Sequence, residues 1–155
     1  MLLTIDVGNT QNVLGLYDLD SSAGEGAAVG LVDHWRLSTD QERTSDEYAI
    51  AIRSLLDTAD VDLESDLDGV AICSGVPRIL ANLRDMVDRY LTFEPIVIEP
   101  GVKTGMPILY DNPKEVGADR IANAIAAHDL YGGPTVVVDF GTGNNFDVIS
   151  ADGEF

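Results

Sequence analysis

Along the first eighteen residues, apolar and polar positions fall into two extended runs separated by one tight turn. "LLTIDV" and "NVLGLY" have the apolar character of buried strands, and Asp6-Val7-Gly8-Asn9-Thr10 joins them with no helix between. Residues 1–6 and about 11–18 are therefore expected to form a hairpin. The small, flexible stretch Asp20 to Gly30 reads as a loop leading to a third strand near Leu31–Leu37. The period then changes. Thr44 and Glu47 have capping-box spacing, and behind them Tyr48, Ile52, Leu55 and Leu56 recur at helical intervals. "DLDGVAICSG" returns to a strand. Pro77, in a first-turn position, opens a second helix whose apolar face is Ile79, Leu80, Leu83, Met86, Val87, Tyr90 and Leu91.

Beyond that, "EPIVIEP" is expected as a short buried strand and "GVKTGMPILYDNPKEVG" as a long loop rich in Gly and Pro. A helix follows from about Asp119 to Leu130, its alanines permitting close packing. Gly132-Gly133-Pro134 breaks the chain before a strand at Thr135–Asp139 and a new hairpin. Three strands, helix, strand, helix, strand, helix and hairpin together predict an α/β fold.

The two hairpins echo each other. Asp6-Val7-Gly8 is matched by Asp139-Phe140-Gly141, and Asn12-Val13 falls in step with Asn145-Phe146 at the same offset. A short motif can repeat by chance, but this one recurs at the same structural point, a strand end entering a hairpin. A duplicated domain is the better reading, with residues 1–133 as the first domain and 134–155 as the incomplete start of a second.

Composition narrows the functional classes. Twenty-seven acidic residues stand against nine basic ones, a formal net charge of −18. That balance argues against nucleic acid, whose phosphates need clustered Lys and Arg, and against an anionic membrane surface. No run approaches the ~18 apolar residues that a membrane helix requires. Cys73 is the single cysteine, so an internal disulfide is impossible and a reducing cytoplasm is the expected setting. An anionic ligand must accordingly be held by backbone amides, a metal ion or a few placed cations.

Two stretches carry candidate chemistry. In the first turn, Gly8 lacks a Cβ, so it can adopt a left-handed conformation and let a phosphate approach the backbone. Asn9, Thr10 and Gln11 supply donors, and Asp6 stands where it could hold Mg²⁺ through water. Such a turn composition is common by itself; its recurrence at Asp139-Phe140-Gly141-Thr142 is what favours two turns clamping one nucleotide. The helix-linked phosphate loops G-x-x-x-x-G-K-[ST] and G-x-G-x-x-G are absent, and "PGVKTG" is an ordinary loop. The second stretch is "YDNPKEVGADR", Tyr110 to Arg120. Asp119 is either a helix N-cap or the acceptor of a hydroxyl proton; Arg120 is either a surface cation or a grip for a substrate carboxylate. A helix N-terminus keeps Asp119 ionised and weakly basic, which matters little in phosphoryl transfer, where orientation of the hydroxyl counts for more. His34 and His128 have no metal-ligand spacing to each other or to Cys73 and read as structural or surface residues, and neither Cys73 nor any serine lies in a nucleophile motif.

At these residues the chain resembles a type III pantothenate kinase: "DVGNTQNVLGLYD", "PGVKTGMPILYDNPKEVGADRIANAIAAHDLYG" and "VVVDFGTGNNFDVISADGEF" carry the likeness along essentially its whole length. The resemblance implies paired ribonuclease-H-like domains of the actin, sugar-kinase and heat-shock-chaperone ATPase superfamily. It implies ATP-dependent phosphorylation of pantothenate to 4'-phosphopantothenate, the first step toward coenzyme A. By motif, Asp6, Val7, Gly8, Asn9, Thr10, Gln11, Asn12 and Val13 would form the first phosphate loop, and Thr142 would touch ATP. Tyr110, Gly117, Ala118, Asp119 and Arg120 would contact pantothenate, with Asp119 as proton acceptor. Mg²⁺ would accompany ATP near Asp6, and Asp139 would sit at a site for K⁺ or NH₄⁺. Such enzymes are typically homodimers. Where the family usually has Ala-Thr-Thr after Thr142, this chain has Gly143-Asn144-Asn145, which keeps donors but changes their reach. Family members also continue through a full second domain, so the 155-residue segment alone is expected to be inactive or very weak. The other classes are a non-catalytic, ligand-sensing relative and a superfamily kinase acting on a sugar or acetate.

Overall fold

Leu3, Ile5 and Val7 project from one face of the first strand and are almost fully buried, which fixes that strand at the centre of a sheet. A computed structural model describes residues 1–19, 30–99, 102–141 and 143–155. Their packing divides into two units, Met1–Val97 and Ile98–Phe155. The expected loop from Asp20 lies outside the described residues up to Gly30, as does Thr142.

The first unit is a mixed sheet flanked by helices, the ribonuclease-H-like arrangement expected. Strands β1 (Leu2–Val7), β2 (Gln11–Tyr17), β3 (Leu31–Ser38), β4 (Gly69–Ser74) and β5 (Ile96–Ile98) lie in the order β3-β2-β1-β4-β5. The β1–β2 and β2–β3 pairs are antiparallel and β1–β4 is parallel, with Asp6 level with Val13 on one side and Cys73 on the other. Helix α1 (Ser45–Leu56) begins at the expected capping box: the Thr44 side chain accepts from the Glu47 amide and the Glu47 carboxylate accepts from the Thr44 amide. Helix α2 (Pro77–Tyr90) buries Ile79, Leu83, Met86 and Val87, the face its periodicity predicts. Both helices contribute to the core around Leu3, Ile5, Leu14, Leu16, Tyr48, Ile52 and Ile72. Among the described residues of "EPIVIEP" three form the strand, and it is not the buried strand expected, since Ile96 is exposed and Val97 and Ile98 are only partly covered.

In the second unit, a 3-10 turn at Pro113–Glu115 interrupts the long loop before α3 (Ala118–Tyr131), which is followed by β6 (Thr135–Phe140) and β7 (Asn144–Ile149). The last two pair as an antiparallel hairpin with Asp139 opposite Asn145. Ile121, Ala124, Val116, Ile149 and Phe155 form its core. The other hairpin face carries Val136, Val138, Phe140, Phe146 and Val148, which are 42–79% exposed. Val136 pairs with Val148 and Val138 with Phe146, so these side chains make one continuous apolar surface.

Candidate functional site

The first turn is held by residues that its own sequence does not contain. Gly8 donates its amide to the Gln11 carbonyl at 3.0 Å, closing the hairpin. The conformation of Gly8 is not left-handed, contrary to expectation: glycine is needed because a Cβ would stand 2.9 Å from that same carbonyl. Asp6, Asn9, Thr10 and Gln11 are exposed, whereas Asn12 is completely buried. The Asn12 amide donates to the Tyr48 hydroxyl at 3.2 Å, and its carbonyl oxygen lies 2.9 Å from the Thr39 hydroxyl. That hydroxyl also reaches the Gly8 carbonyl at 2.7 Å, and the Thr39 amide donates to the Thr10 carbonyl at 2.9 Å. Val7 and Val13 can offer a ligand only backbone, since Val7 is buried and Val13 lies mid-strand.

Burial raises the Tyr48 hydroxyl above its ordinary value, with the Asn12 bond and the nearby Arg43 charge partly opposing. The Arg43 guanidinium stacks over the Tyr48 ring, 5.3 Å from its centre. Thr39 and Tyr48 went unread in the sequence as supports of the turn; Tyr48 registered only as a helix core position. Their one signal is that a buried Asn12 must find polar partners.

The second cluster lies within the second unit. Helix α3 is capped by Gly117, so Asp119 is a first-turn residue and not the N-cap. Its carboxylate folds back to accept from the Arg120 amide at 2.8 Å, and a Cβ on Gly117 would collide with that same Oδ1. Ala118 is buried beneath. Arg120 is no surface cation. Its Nε and Nη2 grip Asp147, at 3.0 and 2.5 Å to Oδ1, with side-chain exposures of 21% for the arginine and 2% for the acid. Nη2 also reaches the Tyr110 hydroxyl at 3.4 Å. The guanidinium lies 5.5 Å from the ring centres of both Tyr110 and Phe155, which stack 6.1 Å apart. Hydrogen bonds to Asp147, then to Tyr110, push Arg120 still further above its already high value, so it is permanently cationic. Among the described residues Nη1 has no hydrogen-bond partner. These groups line a cleft of about 260 Å³ with Leu109 and Phe146. Its chemistry suits a ligand joining a carboxylate to an apolar body.

Asp147 and Phe155 escaped the sequence reading. In "NNFDVIS" alternation would turn Phe146 and Val148 inward, and the hairpin does the reverse, burying Asp147 and Ile149. Asp139 is half-buried on the α3-facing side of the hairpin, level with Asn145.

A mixed sheet whose central strand ends in an acid-glycine turn defines an α/β protein of the ribonuclease-H-like class. The family model described as type III pantothenate kinase matches residues 2–155. The chain belongs to that family. It is 54% identical to the type III pantothenate kinases of Streptomyces avermitilis and Streptomyces coelicolor, and 53% identical to that of Acidothermus cellulolyticus. Each match takes in 100% of this chain but 57% of the relative's length. Among solved structures, an inorganic polyphosphate/ATP-glucomannokinase from Arthrobacter sp. strain KM aligns with 96% of this chain and 58% of its own, at TM-score 0.47 and 18% identity. No helix among the described residues is long and apolar enough to cross a membrane.

Proposed function

We propose that the protein carrying this chain transfers the γ-phosphoryl group of ATP to the primary hydroxyl of pantothenate, giving 4'-phosphopantothenate for coenzyme A synthesis in the cytoplasm. The observation that carries this reading is family membership over residues 2–155. In it, the exposed donors of Asn9, Thr10 and Gln11 receive ATP phosphates, with Asp6, Val7, Gly8, Asn12 and Val13 shaping the loop and Thr142 contacting the nucleotide. Arg120 and Tyr110 take the acceptor's carboxylate end, through the Nη1 donors that Asp147 leaves over. Asp119 orients the reacting hydroxyl and accepts its proton, while Gly117 and Ala118 keep the space beside it clear.

The residues suit Mg²⁺ and a monovalent cation. Among the described residues no three acids, histidines or cysteines are grouped to hold a metal. The exposed carboxylate of Asp6 suits a hard cation that keeps most of its waters and takes phosphate oxygens as ligands. When bound, Mg²⁺ neutralises charge on the transferred group. The half-buried oxygens of Asp139 suit K⁺ or NH₄⁺. Residues 134–155 are proposed to open a second domain, a reading supported by the five exposed apolar side chains sharing one hairpin face. A homodimer completes the proposal.

The test is Asp119→Ala in the complete gene product. A fall in turnover of about a hundredfold or more supports the acceptor role. A change within about threefold, under ~1 kcal/mol of barrier, rules it out.

A further inference from the structure

We propose that Thr39 is a positioning residue for phosphate binding: by capturing the Gly8 carbonyl it aims the Asn9 amide at the ligand. The proposal rests on the reading of the first turn as a phosphate loop. The Gly8 carbonyl and the Asn9 N–H belong to one planar trans peptide and therefore point in opposite directions. The Thr39 hydroxyl holds that carbonyl at 2.7 Å, so the Asn9 N–H faces away from Thr39. Asn9 is exposed, and nothing among the described residues accepts from its amide. A second bond, from the Thr39 amide to the Thr10 carbonyl at 2.9 Å, fixes the carbonyl two residues further along the turn.

Thr39 is itself held in place. Its hydroxyl lies 2.9 Å from Asn12 Oδ1, and Asn12 is anchored to Tyr48 from α1. The neighbouring segment is tied down where Asn82 of α2 donates to the Arg43 carbonyl at 2.8 Å. The turn thus inherits its peptide orientation from the helical layer. Without the hydroxyl, the Gly8–Asn9 peptide is free to rotate, because Gly8 tolerates either orientation. A preorganised donor would become one that must be ordered on each binding event.

Calorimetric titration of the complete gene product with magnesium pyrophosphate tests this, using wild type, Thr39→Ser, Thr39→Val and the core control Ile52→Val. Backbone amide spectra of the unliganded proteins report the Asn9 peptide directly. Thr39→Ser should bind within about twofold of wild type, and Thr39→Val about fivefold to tenfold more weakly. The Asn9 amide resonance should move in Thr39→Val without ligand, while Ile52→Val binds normally despite its lower stability. Unchanged binding by Thr39→Val overturns the proposal and leaves the phosphate loop standing. Equal weakening in Ile52→Val reduces Thr39 to a structural role. No pyrophosphate binding by wild type removes the phosphate reading of the turn, and the proposal with it.

Discussion

Replacing Asp147 probes how the second cluster is held together. Asp147 is 2% exposed and receives hydrogen bonds from Arg120 Nε at 3.0 and 3.3 Å and from Nη2 at 2.5 Å. Asp147→Asn keeps the volume but withdraws the charge, and charge-assisted bonds of this kind are worth about 1.5–3 kcal/mol. Removing one partner of a fully buried pair costs about 3–5 kcal/mol because the other charge is stranded. Arg120 retains 21% exposure and the Tyr110 hydroxyl, so water relieves part of that penalty. The expected loss is about 2–3 kcal/mol. The sole tryptophan, Trp35, lies on β3, outside the unit that holds Asp147. The assay is therefore native-state amide exchange at α3 and β7, where protection should fall by that amount. The double variant Arg120→Met, Asp147→Leu should be milder than Asp147→Leu alone, with a coupling of about 1 kcal/mol or more. A loss below about 0.5 kcal/mol in Asp147→Asn would mark the pair as energetically equivalent to a surface contact.

Other consequences follow from the same contacts. Hydrogen bonds from Thr44, its backbone amide foremost, hold the Glu47 carboxyl below its ordinary 4.5, so the capping box stabilises α1 above that pH and weakens as pH falls through the folded value. Glu47→Gln should abolish this acid-side dependence in helix melts followed by circular dichroism. Tyr48 behaves oppositely: its raised pKa means a contribution fully present below about pH 10 and lost as pH rises through the folded value. Tyr48→Phe should erase that alkaline loss, read by absorbance at the phenolate band, and cost about 0.5–1.5 kcal/mol at neutral pH through the missing Asn12 bond. Gly117→Ala drives a methyl group into Asp119 Oδ1, so acceptor binding should weaken more than α3 melts, judged by ligand titration beside thermal unfolding.

Much of the first unit was legible because its signals are local. The capping box, Pro77 at the start of α2 and the apolar stripe to Val87 need only their own segments, and each appears where its period puts it. Helix α3 runs one residue further at each end than expected, capped by Gly117 in place of Asp119 at its start and ended by Gly132 after Tyr131. What stayed hidden depends on contacts between segments far apart in sequence. Thr39 reaches Gly8 across 31 positions and Arg120 reaches Asp147 across 27, and no spacing rule connects either pair. The parity of β7 has a physical reason. An acid is ordinarily turned to water, but the Arg120 cation makes the inner face the favourable one for Asp147, leaving Phe146 and Val148 outside. The role of Gly8 was recognised with the wrong cause, since steric closeness to Gln11 can be known only once the hairpin is closed.

Phosphoryl transfer to pantothenate is tested by a coupled assay of the complete gene product with ATP and Mg²⁺, with and without pantothenate, in the presence and absence of K⁺ or NH₄⁺. ADP formation should require pantothenate, rise with the monovalent cation and yield a phosphorylated acceptor. A folded protein that binds pantothenate yet forms no phosphorylated product under any of these conditions would contradict it.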